Sequence, residues 1–113
     1  MKRILTSYDV NQQSMAYRGT GGVSAENSAY GYSPAFFDRD NGQIYLSRDV
    51  VGKVVPFHQF DGLPEECIVE RDLQGKPCAV KGTLVVGFVK DGHFFTREQV
   101  VQVIQWELDK IAS

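Results

Sequence analysis

The 113 residues predict an α+β fold: a mainly antiparallel, twisted sheet of hairpins packed against one C-terminal helix. Three observations carry that prediction. Glycine turns at Asn41-Gly42 and Asp91-Gly92 each stand between two apolar runs, the pattern of a hairpin. From Pro34 onward the chain is dense in β-branched and aromatic residues, which suit a pleated, half-buried surface. Residues 96–112 join a helix-start signal to apolar residues at helical spacing.

In chain order, residues 1–8 predict a short strand around Ile4 and Leu5. Residues 9–34 hold only Asp9, Arg18 and Glu26 as ionised groups and are rich in Gly, Ser, Asn, Gln and Tyr. They are expected to form a long loop with one helical turn near Val10–Met15. Residues 35–95 carry the sheet, of five to seven strands. A two-residue type I′ turn at Asn41-Gly42 would pair Phe37 with Leu46 and Asp38 with Tyr45, placing Phe37, Ile44 and Leu46 on one face and Phe36 and Tyr45 on the other. Lys53 to Phe60 reads as an edge strand, because Pro56 cannot donate to a ladder. A hairpin with Gln74-Gly75 at its tip would pair Val69 with Val80 and Arg71 with Cys78. The long strand Ala79 to Lys90 should bend at Gly82 or Gly87. At Asp91-Gly92 the expected partners are Lys90 with His93, Val89 with Phe94 and Phe88 with Phe95. Thr96-Arg97-Glu98-Gln99 has the form of a capping box, and Val100, Ile104, Leu108 and Ile111 make the stripe expected to meet the sheet. The whole is one domain, residues 1–113.

Composition narrows the function classes. Basic residues number 12 and acidic residues 14, so the net charge is −2; hydrophobic residues make 42% and charged residues 23%, a globular mix. The basic side chains are scattered, and from Glu65 onward six basic face eight acidic residues, which argues against nucleic acid as a partner. No apolar run approaches a membrane span or a signal peptide. Cys67 and Cys78 are too few for a disulfide framework and predict reduced thiols in a cytoplasmic protein.

His58, with Asp61 and Glu65 nearby in sequence, is the one constellation with catalytic form: a base and an orienting carboxylate. Neither it nor Glu66 follows a metal-ligand spacing, and neither metal nor cofactor is expected. His93 belongs to a hairpin tip. Arg18-Gly19-Thr20-Gly21-Gly22 could cradle a phosphate through backbone amides but has no Walker Lys-Ser/Thr, so a glycine loop is expected. Ser24, Ser28 and Ser33 stand outside any nucleophile elbow. Tyr17, Tyr30 and Tyr32 lie among small polar residues, the composition of a ligand- or partner-binding loop.

Between Tyr45 and Gln99, the segments Tyr45-Leu46-Ser47-Arg48, Pro56-Phe57-His58, Asp61-Gly62-Leu63-Pro64, the run from Val80-Lys81-Gly82 to Gly87-Phe88-Val89 and the tail Asp91-Gly92-His93-Phe94-Phe95-Thr96-Arg97-Glu98-Gln99 resemble small proteobacterial proteins of unknown function, some carried on mobile gene cassettes. The resemblance implies a bacterial source and no activity. The expected function is therefore a non-catalytic binding or protein-interaction module that self-associates as a homodimer, because both faces of the sheet are apolar and one helix covers only one of them. Its partner would be a small molecule or a protein, with no nucleic acid and no membrane. The alternative is a small hydrolase- or isomerase-like enzyme using His58 with Asp61 or Glu65.

Overall fold

A computed structural model describes residues 3–112, so the ends of the expected first strand and of the chain lie outside the described residues. Strand β1 (Ile4–Thr6) runs directly into helix α1 (Ser7–Ala16). Thr6 caps the helix: Asp9 N donates to Thr6 Oγ1 at 3.1 Å and Thr6 N donates to Asp9 Oδ2 at 2.9 Å. The expected long loop with a single helical turn is thus corrected to a ten-residue helix followed by a shorter loop. Only Val10 of α1 is buried, so the helix has no apolar stripe by which to be recognised; Thr6 with Asp9 was its one local signal.

After α1 the chain makes a short helix α2 (Ser24–Asn27) and a 3₁₀ turn over Ser28–Tyr30. The glycine loop before them is ordered by an internal anion. Gly19 N donates to Glu26 Oε2 at 2.7 Å and Gly21 N to Glu26 Oε1 at 2.9 Å. These backbone bonds hold the Glu26 carboxyl below its ordinary range. The backbone nest that could have cradled a phosphate is filled by the protein's own carboxylate.

The remaining strands are β2 (Ser33–Asp38), β3 (Ile44–Leu46), β4 (Ile68–Arg71), β5 (Pro77–Lys81), β6 (Leu84–Lys90) and β7 (His93–Thr96), followed by helix α3 (Arg97–Ala112). They form two antiparallel sheets, one of order β1-β5-β4 and one of order β3-β2-β6-β7. The α+β class and the helix packed on an antiparallel sheet agree with the expectation. The single sheet does not, because the strand expected from Ala79 to Lys90 breaks at Gly82-Thr83 into β5 and β6, which belong to different sheets.

The break is anchored by Asp38, which has no exposed surface. Its carboxylate accepts from Lys81 Nζ at 2.7 Å, Thr83 Oγ1 at 2.7 Å and Asp40 N at 2.9 Å. Burial alone would raise this carboxyl; the three donors outweigh it and hold Asp38 below its ordinary range. The backbone of the same residue closes the first hairpin. Asp38 N donates to Gln43 O and Gly42 N to Asp38 O, both at 2.8 Å, and of the two turn residues only Gly42 takes a left-handed φ. The loop therefore has four residues rather than two, and Phe37 pairs with Ile44 instead of Leu46. The shift is by two residues, so the predicted faces survive.

At Asp91-Gly92 the expected register is observed residue for residue, and both turn residues take positive φ, 53° and 80°. The third hairpin is displaced. Asp72 Oδ1 accepts from Gln74 N and Lys76 N, both at 2.9 Å, closing a turn that pairs Arg71 with Pro77. Two irregularities follow in β4; Val69 turns outward, Cys67 stays fully buried and Cys78 is half-buried. The expected strand from Lys53 to Phe60 is absent. That stretch is irregular, held to Ser47, whose hydroxyl donates to Phe57 O at 2.7 Å and accepts from Gln59 N at 2.9 Å.

The core has two parts. Leu5, Val10, Phe36, Phe60, Leu63, Cys67, Val80, Leu84 and Val86 join the two sheets, α1 and the irregular segment. Tyr32, Phe88, Val100 and Ile104 seat the first half of α3 on the larger sheet. Thr96 and Gln99 form the expected capping box, with Thr96 N to Gln99 Oε1 at 2.9 Å and Gln99 N to Thr96 Oγ1 at 3.2 Å. The expected stripe is buried only in its first half, for Leu108 is 44% and Ile111 81% exposed.

Ile104→Asp is expected to abolish cooperative thermal unfolding by placing a bare charge in the core, whereas Ile111→Asp should change stability by no more than about 0.5 kcal/mol; equal melting curves for the two variants would contradict this packing. Asp38→Ala should cost about 3 kcal/mol in a denaturant titration, since it strands the Lys81 ammonium and frees the strand crossing.

Candidate functional site

The first turn of α3 carries a cation that sequence reasoning passed over. Arg97 is only 3% exposed. A cation in the first turn opposes the helix dipole, and that mismatch was the one signal of a separate role. Its guanidinium lies over the Phe88 ring at 5.6 Å, donates through Nη1 to Gly22 O at 2.7 Å and through Nη2 to Ser14 Oγ at 3.0 Å. Nε has no partner, and no carboxylate is paired with the group among the described residues. Burial pushes its pKa down to about 10, which still leaves it charged at neutral pH.

Arg97 lines a cleft of about 470 Å³ together with Gln13, Tyr17, Thr96 and Glu98 and the β6 residues Leu84 to Val86. Tyr17 OH donates to Glu98 Oε1 at 3.1 Å across the rim. The β6 wall is an open strand edge. Arg39 N donates to Thr83 O, so residues in step with Thr83 aim their backbone groups at β2, and Leu84, Val86, Phe88 and Lys90 aim theirs the other way. There β7 answers Phe88 and Lys90, and its last pair, Gly87 with Thr96, brings the Arg97 amide to the Val86 carbonyl before the chain turns into α3. Among the described residues no strand lies beside Leu84 and Val86 on that side.

The tyrosines expected to share a binding surface are separated by their burial. Tyr17 lines this cleft. Tyr32 is a core residue, edge-on to Phe88 at 6.5 Å and Phe95 at 5.7 Å, with Lys90 over its ring at 5.1 Å. Tyr30 is exposed on the 3₁₀ turn. Tyr17 and Tyr32 border different clefts, Tyr32 one of about 350 Å³ with Ser28, Pro34 and Val55, so the three do not share one surface.

His58 does not meet the carboxylates proposed to orient it. Its Nε2 donates to Gly87 O at 2.7 Å, and Phe36 and Phe88 stand edge-on at 5.4 and 5.1 Å. On the opposite face of the strand, a Cβ on Gly87 would lie 2.3 Å from Phe95 O and 2.4 Å from the Phe94 ring. Asp61 pairs with Lys76 at 3.4 Å and Glu65 with Arg71. Glu65 is thus in an exposed ion pair and the mostly buried Asp61 in one with Lys76, while His58 lines a separate cleft of about 220 Å³ with Ser7, Asn11 and Lys76. His93 is exposed on its hairpin. Among the described residues no three His, Cys, Asp or Glu side chains group as metal ligands, and no helix is long and apolar enough to cross a membrane.

No family model, curated protein or solved structure matches the chain.

His58 also has a pH signature. Burial, reinforced by the Arg97 charge, pushes it from 6.5 down to about 4. A depressed folded pKa means the unfolded chain takes up the proton first, so the stability is whole above about pH 6.5 and falls as pH drops toward 4. The loss should be at most about 3 kcal/mol. Urea titrations between these limits should show that slope in the native chain and lose it in His58→Leu; an unchanged slope would place the titrating group elsewhere.

Proposed function

We propose that the protein is a non-catalytic interaction module that assembles with a second copy of itself through the outer face of its four-stranded sheet. One observation carries this reading. Register puts Phe37, Ile44, Leu46, Val85, Val89 and Phe94 on that face, and none of them belongs to either core cluster. Phe37 and Phe94 stack at 5.4 Å between centroids, Ile44 is exposed, and the other five are half-buried. An apolar sheet face needs a second layer, and a symmetric dimer supplies one from the same surface. A face four strands wide and about six residues long spans roughly 19 by 20 Å. That footprint is about half the roughly 800 Å² per partner of a stable interface, so the pair should be weak and dissociate on dilution.

The non-catalytic character is supported by His58, whose ring nitrogen is engaged by Gly87 O while Asp61 and Glu65 pair with Lys76 and Arg71. Two free thiols support the cytoplasm as its compartment. Light scattering over a wide concentration range should show the mass rising toward twice that of the chain. Phe37→Lys, at a half-buried position in the middle of the face, should hold the protein at the monomer mass with its circular dichroism unchanged. A native chain that stays monomeric throughout would overturn the reading.

A further inference from the structure

We propose that the cleft beside the start of α3 takes the C-terminal end of an extended peptide, with its main chain on the open edge of β6 and its terminal carboxylate at Arg97. Two independent features meet there. The first is the short edge at Leu84 and the Val86 amide, which faces the cleft with no strand beside it. An open edge recognises any extended main chain, because amide and carbonyl groups recur in every peptide whatever its side chains. The second is Arg97, almost wholly buried, lacking a carboxylate partner and with Nε unbonded. A buried cation without a counter-charge is costly, and a ligand carboxylate supplies that charge.

Together these features select the ligand class. A lone inorganic anion would satisfy Arg97 but leave the strand edge open, and a cleft of about 470 Å³ is far larger than such an ion. A multiply charged phosphate would also meet Glu98 on the rim. A C-terminal carboxylate brings a single charge to Arg97 and amide groups to Leu84 and Val86. The Gln13 side chain on the opposite rim can hydrogen-bond a peptide carbonyl. Of the residues named on the sheet face assigned to self-association, this cleft shares only Val85.

The test uses the full chain, ¹⁵N-labelled, and two pools of acetylated tetrapeptides degenerate at every position, one with free and one with amidated C termini. The free-acid pool should give saturable shifts at the Leu84 and Val86 amides and at Arg97 Nε. The amidated pool should need at least about tenfold more peptide for the same shift. Arg97→Met should erase that difference. Because Arg97 also holds Gly22 and Ser14, a second variant is needed that leaves it in place. Glu98→Lys, at an exposed rim position, should strengthen the free-acid pool several-fold and leave the amidated pool unchanged. Equal responses from the two pools, shifts confined to other residues, or no response at the solubility limit of the peptides would each overturn the assignment.

Discussion

Asp38 is a carboxylate with no exposed surface, so its charge has to be matched by protein groups rather than by water. The groups that match it come from both sides of one strand crossing: Lys81 at the end of β5 and Thr83 just before β6. The chain passes from the smaller sheet to the larger between these two residues. Satisfying one buried charge therefore sets where a long apolar run divides and how β2 stands against β6. It also sets the loop between β2 and β3, because the Asp38 backbone closes that turn as well. With the crossing in place, Phe36, Leu84 and Val86 meet Leu5, Cys67 and Val80 in a single cluster between the sheets.

A second charge ties the N-terminal third to the rest. Arg97 begins α3, lies against Phe88 and bonds Ser14 of α1 and the carbonyl of Gly22. Glu26 folds the glycine loop on itself from the other direction. The segment from Tyr17 to Asn27 is thus held by an anion at its centre and a cation behind it. The anion is matched by backbone amides, whereas the cation has only neutral partners and an open cleft beside it. That imbalance is what distinguishes the Arg97 cleft from the smaller one lined by His58, where the ring is already satisfied by Gly87.

The larger sheet faces two environments. Its inner residues Phe36, Val86 and Phe88 are covered by the smaller sheet, the irregular segment and α3. Its outer residues have only one another, and Phe37 and Phe94 meet across the glycine of β6. Asp61 and Glu65 pair with Lys76 and Arg71, and Asp38 and Glu26 hold backbone amides.

Several features were legible without any structure. The Asp91-Gly92 hairpin, the Thr96 and Gln99 box and the first half of the α3 stripe follow from dihedral preferences and bonds within a few residues, so the sequence alone determined them. The two-faced apolar pattern of the long strands was equally visible, and with it the reason to expect a second copy. Helix α1 escaped because it is almost entirely polar and buries one side chain. The third hairpin slipped because Asp72 closes a three-residue turn, one residue longer than the Gln74-Gly75 tip suggested. Whether Ala79 to Lys90 is one strand or two, that Tyr32 is core, that Arg97 rather than His58 borders the larger cleft, and that Leu84 and Val86 keep a free edge were decided only in the tertiary structure. Each depends on groups far apart in the chain sharing one buried charge or one ladder, and local preferences of a few tenths of a kcal/mol cannot specify such pairings.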